Sequence, residues 1–366
     1  MKYSYITDFG HFTLKFETQD KSLKPFDAAD EYLLSLLADT KYAHQKLLLV
    51  NDRCAALSVP LAEQLIGHVN DSLHELEETA ENMHENGKPP CPSQSILKPI
   101  PDAPDCIVMK IPKSLDHFRF QLQKIRAGIQ KETEILAAGM SRYLPASYFE
   151  CFQAETQDAT YSRIEKKARY YKGVLKPQTE MSVQSSSYVW EGRRYISLPG
   201  VFSHRGVDPG SGFLLKNMPD LPVPKVIIDP GCGNGILGLE ALNIWPEARL
   251  TATDENALAV ASTLQNSERA GVAERCTVLQ TRILRGIAQE SADLILCNPP
   301  FHRGHTVSLE TGFAFIRESS AVLREGGYMA LVVNKTLGYG NILKENFQKV
   351  NILKQNSKYR LILCRK

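Results

Sequence analysis

From Lys225 onward the apolar positions fall into a repeating order. Lys225–Asp229 ("KVIID") is a short β-branched run that leads into "GCGNGILGLEALNIW", a glycine turn opening a helix. Arg249–Asp254 ("RLTATD") is a second strand, and apolar residues at helical spacing follow from about Glu255 to Arg269. "CTVLQ" and "DLILC" are further strands. The segment from about Ser308 to Arg324 is helical, stops at Gly326-Gly327 and gives way to "YMALVV". Strands alternating with helices predict a parallel sheet covered on both faces. The tail breaks the alternation: "VNILKQNSKYRLILC" predicts a hairpin whose final strand runs antiparallel to the rest.

The N-terminal half repeats this order more faintly. "KLLLVND" (Lys46 to Asp52) matches "KVIID", "NDSLHELEETAENMHENG" matches "TDENALAVASTLQNSERAG", and "DCIVMKIPKS" matches "DLILCNPPFH". Two α/β domains of one plan are therefore expected, as a duplication would leave them. The first is degenerate. After "LLLVND" comes "RCAALSVPL" without glycine, and Lys110-Ile-Pro-Lys113 stands where the second half has Asn-Pro-Pro-Phe. If a ligand loop needs glycine, the first copy has lost its ligand. The expected boundaries are residues 1–140 for the degenerate domain, 141–200 for a connecting insert and 201–366 for the domain that keeps its motifs. The insert carries "TYSRIEKKARYYKGVLK", in which Arg163, Lys166, Lys167, Arg169, Lys172 and Lys176 interleave with Tyr161, Tyr170 and Tyr171.

Composition narrows the class. The 366 residues are 43% hydrophobic and 23% charged, ordinary for a globular protein of two domains. A net charge of +2 excludes a global basic field, so nucleic acid would have to be met by a local patch such as the insert. The eight cysteines form no CxxC pair and no Cys/His cluster of zinc spacing, so reduced thiols and no metal are expected. "MKYSYITDFGHFTLKF" lacks an apolar signal core, and no run nears the ~20 apolar residues of a membrane span. A soluble cytoplasmic protein without a membrane partner is expected.

The chemistry sits in three places. Asp229-Pro-Gly-Cys-Gly-Asn-Gly-Ile-Leu-Gly238 follows a strand and opens a helix, where glycines allow close backbone approach and the helix N-terminus favours an anionic group. Gly233, Gly235 and Gly238 satisfy the dinucleotide pattern GxGxxG. Gly231, Gly233 and Gly235 equally satisfy the GxGxG loop of methyltransferases that use S-adenosylmethionine. Asp254, ending the next strand, can accept from both hydroxyls of a ribose and fits either cofactor; capping the following helix is the bland alternative. "NPPFH" (Asn298 to His302) separates the two readings. A dehydrogenase has no use for this row at a strand end. An enzyme that methylates a planar amine does. Asn298 through its side-chain oxygen and Pro299 through its carbonyl can each accept one amine hydrogen. Together they draw the delocalised lone pair toward a methyl donor. Pro299 and Pro300 stiffen the backbone that presents these acceptors. Phe301 offers a stacking face, and His302 can orient the base edge or a phosphate. Asp229 is expected to meet the methionine amino group.

On these residues the chain resembles the bacterial ribosomal RNA guanine-N2 methyltransferases, through "IIDPGCGNGILG", "TATDENALAVAS", "LCNPPFH" and the approach segment "LPGVFSHRGVDPGSGFLL". "FDAADEYLLSLL", "LLLVNDRCAALS" and "IPKSL" look specifically like the branch acting on large-subunit rRNA. The resemblance covers nearly the whole chain. It implies tandem Rossmann-like class I methyltransferase domains, the first degenerate and the second catalytic with an antiparallel last strand. It also implies methyl transfer from S-adenosylmethionine to the exocyclic N2 of a guanine in 23S rRNA, naked or in a partly assembled large subunit. Catalytic residues would be Asn298, Pro299 and Phe301. Substrate would meet Pro300, His302, Arg169 and Lys172. Cofactor would meet Asp229, Gly231, Gly233, Asn234, Gly235, Asp254, Phe202 and Asp208. The alternatives are a small-subunit 16S rRNA guanine, an adenine N6 or a protein glutamine. Adenine and glutamine enzymes of this kind typically place Tyr where Phe301 stands.

Overall fold

The computed structural model describes residues 1–17, 23–101, 103–178, 185–299, 302–303, 306–307 and 309–366, with backbone alone at 302–303, 306–307 and 309. The chain divides into two compact units, Met1–Gln184 and Ser185–Lys366.

The first unit opens with the hairpin β1 (Lys2–Thr7) and β2 (Gly10–Lys15), then α1 (Ala28–Leu37). Its sheet is built from β3 (Leu47–Val50), β4 (Leu65–Val69), β5 (Ser93–Gln94), β6 (Cys106–Lys110), β7 (Thr133–Met140), β8 (Gln157–Tyr161) and β9 (Ala168–Leu175). Helices α2 (Leu73–Glu85), α3 (Leu115–Gly128) and α4 (Ala146–Glu155) connect them. The spatial order is β5-β4-β3-β6-β7-β9-β8. The pairs from β5 to β7 are parallel, whereas β9 runs antiparallel to both β7 and β8. All four residues of β3 are buried, which is why "LLLV" reads as a continuous apolar run rather than an alternating one.

The second unit opens with the hairpin β10 (Ser186–Trp190) and β11 (Arg193–Ser197), followed by α5 (Pro209–Lys216). Then come β12 (Val226–Pro230), α6 (Ile236–Ile244), β13 (Arg249–Asp254), α7 (Ala257–Arg269), β14 (Cys276–Gln280) and β15 (Ala292–Cys297). The small pair β16 (His302–Arg303) and β17 (Thr306–Val307) precedes α8 (Leu309–Val322), β18 (Leu323–Asn334), α9 (Gly340–Asn346), β19 (Lys349–Gln355) and β20 (Tyr359–Arg365). The order is β14-β13-β12-β15-β18-β20-β19, the first unit's order repeated strand for strand. β20 lies antiparallel between β18 and β19, as the tail hairpin predicts.

The boundaries differ from the sequence expectation in one respect. Residues 141–200 are not a separate insert. β8 and β9 close the first sheet, and β10 and β11 open the second unit. The segment was expected to be a connecting insert with a basic-aromatic stretch, yet Tyr171 is 1% exposed and packs against Phe149 and Phe152 beneath the sheet. The basic residues alternate with those core positions because successive strand residues face opposite sides.

In an open α/β sheet, ligands bind at the carboxyl ends of the strands where the strand order reverses. In the second unit that point lies between β12 and β15. Ile227 pairs with Leu294 and Ile228 with Ile295. Continued to the strand ends, this register brings the glycine loop abreast of Asn298.

No helix among the described residues is long and apolar enough to cross a membrane. Among the described residues no His, Cys, Asp and Glu group could hold a metal ion, and the cysteines are free thiols.

Candidate active site of the second unit

The loop after β12 turns three times through the left-handed region, at Gly231 (φ 70°), Gly233 (φ 58°) and Gly235 (φ 85°). Two of these demand glycine for different reasons. A Cβ on Gly235 would lie 2.8 Å from Thr263 Cγ2, so the loop is pressed onto α7 there. A Cβ on Gly233 would meet nothing within 4 Å. The backbone at Gly233 therefore faces open space, the place for a ligand to lie against it.

Two carboxylates frame this loop. Asp229 is 1% exposed, and its Oδ2 accepts from the Gly238 N–H at 2.9 Å. Burial pushes its carboxyl up to about 7, helped by the nearby Asp254 charge and opposed by the Gly238 N–H. Asp254 accepts from the Gly233 N–H through Oδ2 at 3.0 Å and from the Asn256 N–H through Oδ1 at 2.9 Å. Burial raises its carboxyl as well, against the pull of those N–H groups. The Glu255 N–H meets the same carboxylate, whose remaining lone-pair capacity is open to a hydroxyl donor. The helix-capping role belongs to Asn256, whose side chain accepts from Leu258 and Ala259.

Asn298 follows β15. Its Nδ2 donates to Asp208 Oδ2 at 3.1 Å and to Ser211 Oγ at 2.8 Å. Its Oδ1 is buried and accepts from no donor among the described residues. Asp208 is the N-cap of α5, and its Oδ2 also accepts from the N–H groups of Gly210 and Ser211 at 2.8 and 3.1 Å. Pro299 is buried beside Asn298. Pro300 and Phe301 lie outside the described residues, as does the side chain of His302, whose backbone pairs with Val307.

The remaining candidates fall elsewhere. Asn234 turns away from the loop's open side and donates to Tyr188 Oη at 2.8 Å and Ser197 Oγ at 3.0 Å, tying the loop to the opening hairpin. Asp208, expected to meet cofactor, turns its Oδ2 to Asn298. Phe202 is 69% exposed. Arg169 and Lys172 belong to the first unit on β9. The Arg169 guanidinium stacks over the Tyr161 ring at 4.8 Å, and Lys172 Nζ pairs with Glu134 Oε2 at 3.0 Å. The basic residues held out to solvent are Arg163, Lys166 and Lys167, in the turn between β8 and β9. Sequence reasoning overlooked Ser211 and Thr263. Ser211 was signalled by Asp208-Pro209-Gly210-Ser211, a cap residue before a proline at the first helical position. Thr263, whose Oγ1 donates to the Gly233 carbonyl at 3.0 Å, carries no signal in its flanking sequence.

The residues fit S-adenosylmethionine. An open glycine backbone, a buried carboxylate at the strand end and a second carboxylate with free lone pairs match the three polar parts of that molecule. The doubly wound sheet with an antiparallel β20 and this loop define an S-adenosylmethionine-dependent methyltransferase. Comparison with known proteins agrees. Residues 192–363 match the Methyltransferase small domain family and residues 4–177 match the RLMG N-terminal domain. A ribosomal RNA large subunit methyltransferase G of Klebsiella pneumoniae is 32% identical over 95% of this chain and 93% of its own length. The same enzyme of Pectobacterium atrosepticum is 31% identical over 94% and 92%. A T. thermophilus 16S rRNA N2 methyltransferase, solved in complex with AdoMet and guanosine, shares the fold over 100% of this chain and 98% of its own, with TM-score 0.77 and 22% identity. The chain belongs to the ribosomal RNA large subunit methyltransferase G family.

Proposed function

We propose that this chain transfers the methyl group of S-adenosylmethionine to the exocyclic N2 of a guanine in 23S rRNA. The observation that carries the reading is the Oδ1 of Asn298, a buried acceptor at the carboxyl end of β15 without a donor among the described residues. Leaving such an atom unpaired costs ~1–3 kcal/mol, and at the mouth of this loop a substrate amine can supply the donor. A guanine amine supplies two N–H groups. Asn298 Oδ1 accepts one and the Pro299 carbonyl accepts the other. The nitrogen is thereby drawn toward tetrahedral, and its lone pair points away from both acceptors. S-adenosylmethionine, when bound, offers a methyl carbon on a positive sulfur. The N2 lone pair forms the new N–C bond as the C–S pair returns to sulfur, and the amine then releases one proton to water. Alignment supplies most of the acceleration, so no strong base is needed.

Asp229 would meet the methionine ammonium, Gly231 and Gly233 would lie along the ligand, Gly235 would hold the loop to α7, and Asp254 would accept from the ribose hydroxyls. Phe301 is assigned from the sequence as the face on which the flipped guanine stacks. Arg163, Lys166 and Lys167 are the first unit's best phosphate contacts, positioning the strand without reading its sequence.

The test is transfer of labelled methyl to deproteinised large-subunit rRNA, to small-subunit rRNA and to assembled subunits of both kinds, followed by nucleoside mass analysis. N2-methylguanosine in large-subunit rRNA is the expected product. Label confined to small-subunit rRNA would move the target while keeping the chemistry, and no label in any RNA would sink the reading.

A further inference from the structure

We infer that Asp208 and Ser211 are positioning residues for methyl transfer: they hold the Asn298 amide in the one orientation that aims its oxygen at the substrate amine. The inference rests on the role proposed above for Asn298. A primary amide has nearly the same shape when turned end for end, so packing alone selects its orientation weakly. The turned amide would present an NH2 to the substrate NH2, donor against donor. Asp208 forbids this. An ionised carboxylate only accepts, so only the Nδ2 end of Asn298 can face it. Ser211 Oγ accepts from the same nitrogen at 2.8 Å, so both amide hydrogens are used. An N–H drawn toward a negative oxygen also shifts electron density onto the amide oxygen, which strengthens Oδ1 as an acceptor.

The carboxylate is itself anchored. It caps α5, with the Gly210 and Ser211 N–H groups on the same Oδ2 that meets Asn298. The glycine at 210 is part of the device. A Cβ there would stand 2.9 Å from Asp208 Oδ2, crowding the carboxylate that holds Asn298. The first unit has the same capping aspartate, Asp27 of α1, but Lys110 ends its β6 and donates to Asp27 and Asp30 at 2.7 Å each. There the cap holds a cation and no acceptor is presented. The capping aspartate is common to both units, and what it holds differs.

The test is Asp208→Asn, assayed with labelled S-adenosylmethionine and unmethylated deproteinised large-subunit rRNA. Asparagine caps a helix as well as aspartate does, so the fold is expected to stand. Its amide no longer dictates which end of Asn298 faces it. The expected result is a kcat lower by about 100-fold, with the KM for RNA, the Kd for S-adenosylmethionine and the melting temperature unchanged. A kcat within threefold of the unsubstituted enzyme overturns the inference. So does a loss of cofactor affinity that matches the loss of kcat, which would make Asp208 a cofactor contact. Should Asp208→Asn fail to fold, Ser211→Ala decides: about a tenfold loss of kcat at constant KM is expected, and an unchanged kcat overturns the inference. Asn298→Ala in the same assay separates the two levels. If it turns over at full rate, the role of Asn298 is wrong and the positioning role goes with it. If it is impaired while Asp208→Asn and Ser211→Ala are not, the role of Asn298 stands and only the positioning is wrong.

Discussion

The two sheets share one strand order, and the loop after the first strand of each shows what separates a cradle from a plug. In the first unit the chain leaves β3 through left-handed backbone at Asn51 (φ 62°), Cys54 (φ 53°) and Ala55 (φ 60°), close to the angles that Gly231 and Gly233 adopt in the second. The path is kept, but side chains now fill it: Cys54, Ala55, Ala56 and Leu57 are each 1% exposed or less. The acidic residues are likewise kept and consumed. Asp52, the counterpart of Asp229, accepts from the Leu57 and Ser58 N–H groups and the Ser58 hydroxyl. Asp71, the counterpart of Asp254, accepts from Ser95 Oγ and the Ile96 N–H, and His117 Nε2 lies 3.3 Å from its other oxygen. Lys110 replaces Asn298. A binding site is lost when its polar groups are satisfied internally, even though most of them remain in the sequence.

The comparison is broken most directly at the strand ends. Asn298→Ala is expected to lower kcat by about 10³-fold with little change in melting temperature, since it removes one of the two acceptors that hold the substrate amine. Lys110→Ala should do the reverse. It strands Asp30, 5% exposed, beside Asp27, and about 3–5 kcal/mol of stability should go. Turnover per folded molecule should hold. Denaturant unfolding and single-turnover transfer on both variants would check this crossed pattern, and a Lys110→Ala defect in chemistry at full stability would break it.

Asp254 and its counterpart Asp71 come next. Asp254→Ala is expected to weaken S-adenosylmethionine by about 10- to 100-fold, the worth of hydrogen bonds to a charged group. Asp71→Ala should lower the melting temperature and leave cofactor binding unchanged in calorimetry.

A smaller effect concerns pH. With its carboxyl at about 7, Asp229 becomes ionised, and able to pair with an ammonium, as pH rises through neutrality. Affinity for S-adenosylmethionine should therefore improve by about tenfold from pH 6 to pH 8, and Asp229→Asn should flatten the profile. Stability of the ligand-free protein runs the other way. The folded state keeps the Asp229 proton up to about 7, whereas the unfolded chain releases it near the ordinary aspartate value of 3.8. This group's contribution thus falls as pH rises between those values and levels off above 7. Asp229→Asn should remove that fall.

The smallest effect separates the exposed turn from the strand it joins on the β8–β9 hairpin. Neutralising Arg163, Lys166 or Lys167 should weaken RNA about threefold each and flatten the salt dependence. Lys172→Ala, already paired with Glu134, should not change the salt slope in a filter-binding titration.

The architecture was largely legible in the sequence because it rests on local patterns. Continuous apolar runs announce strands buried on both faces, "GCGNG" announces the turn into α6, and the doubled strand run at the tail announces an antiparallel end. The glycine loop, Asp229, Asp254 and Asn298 were legible for the same reason, since each ends a readable strand. The 141–200 segment was misread because its tyrosines and lysines alternate, and alternation alone does not say which side of a sheet is wet.

Taken by itself, the sequence determined the two-fold plan, the loss of glycine in the first copy and the residue types of the chemistry, all of which are properties of neighbours along the chain. Only the tertiary structure decided where the polar atoms point. It turned Asn234 toward Tyr188, turned Asp208 toward an asparagine 90 positions later, and left that asparagine's amide oxygen without a donor among the described residues. Hydrogen bonds between residues so far apart depend on the register of β12 against β15 and on the placement of α5. Those are settled by how the sheet closes on its helices, and local patterning does not encode them.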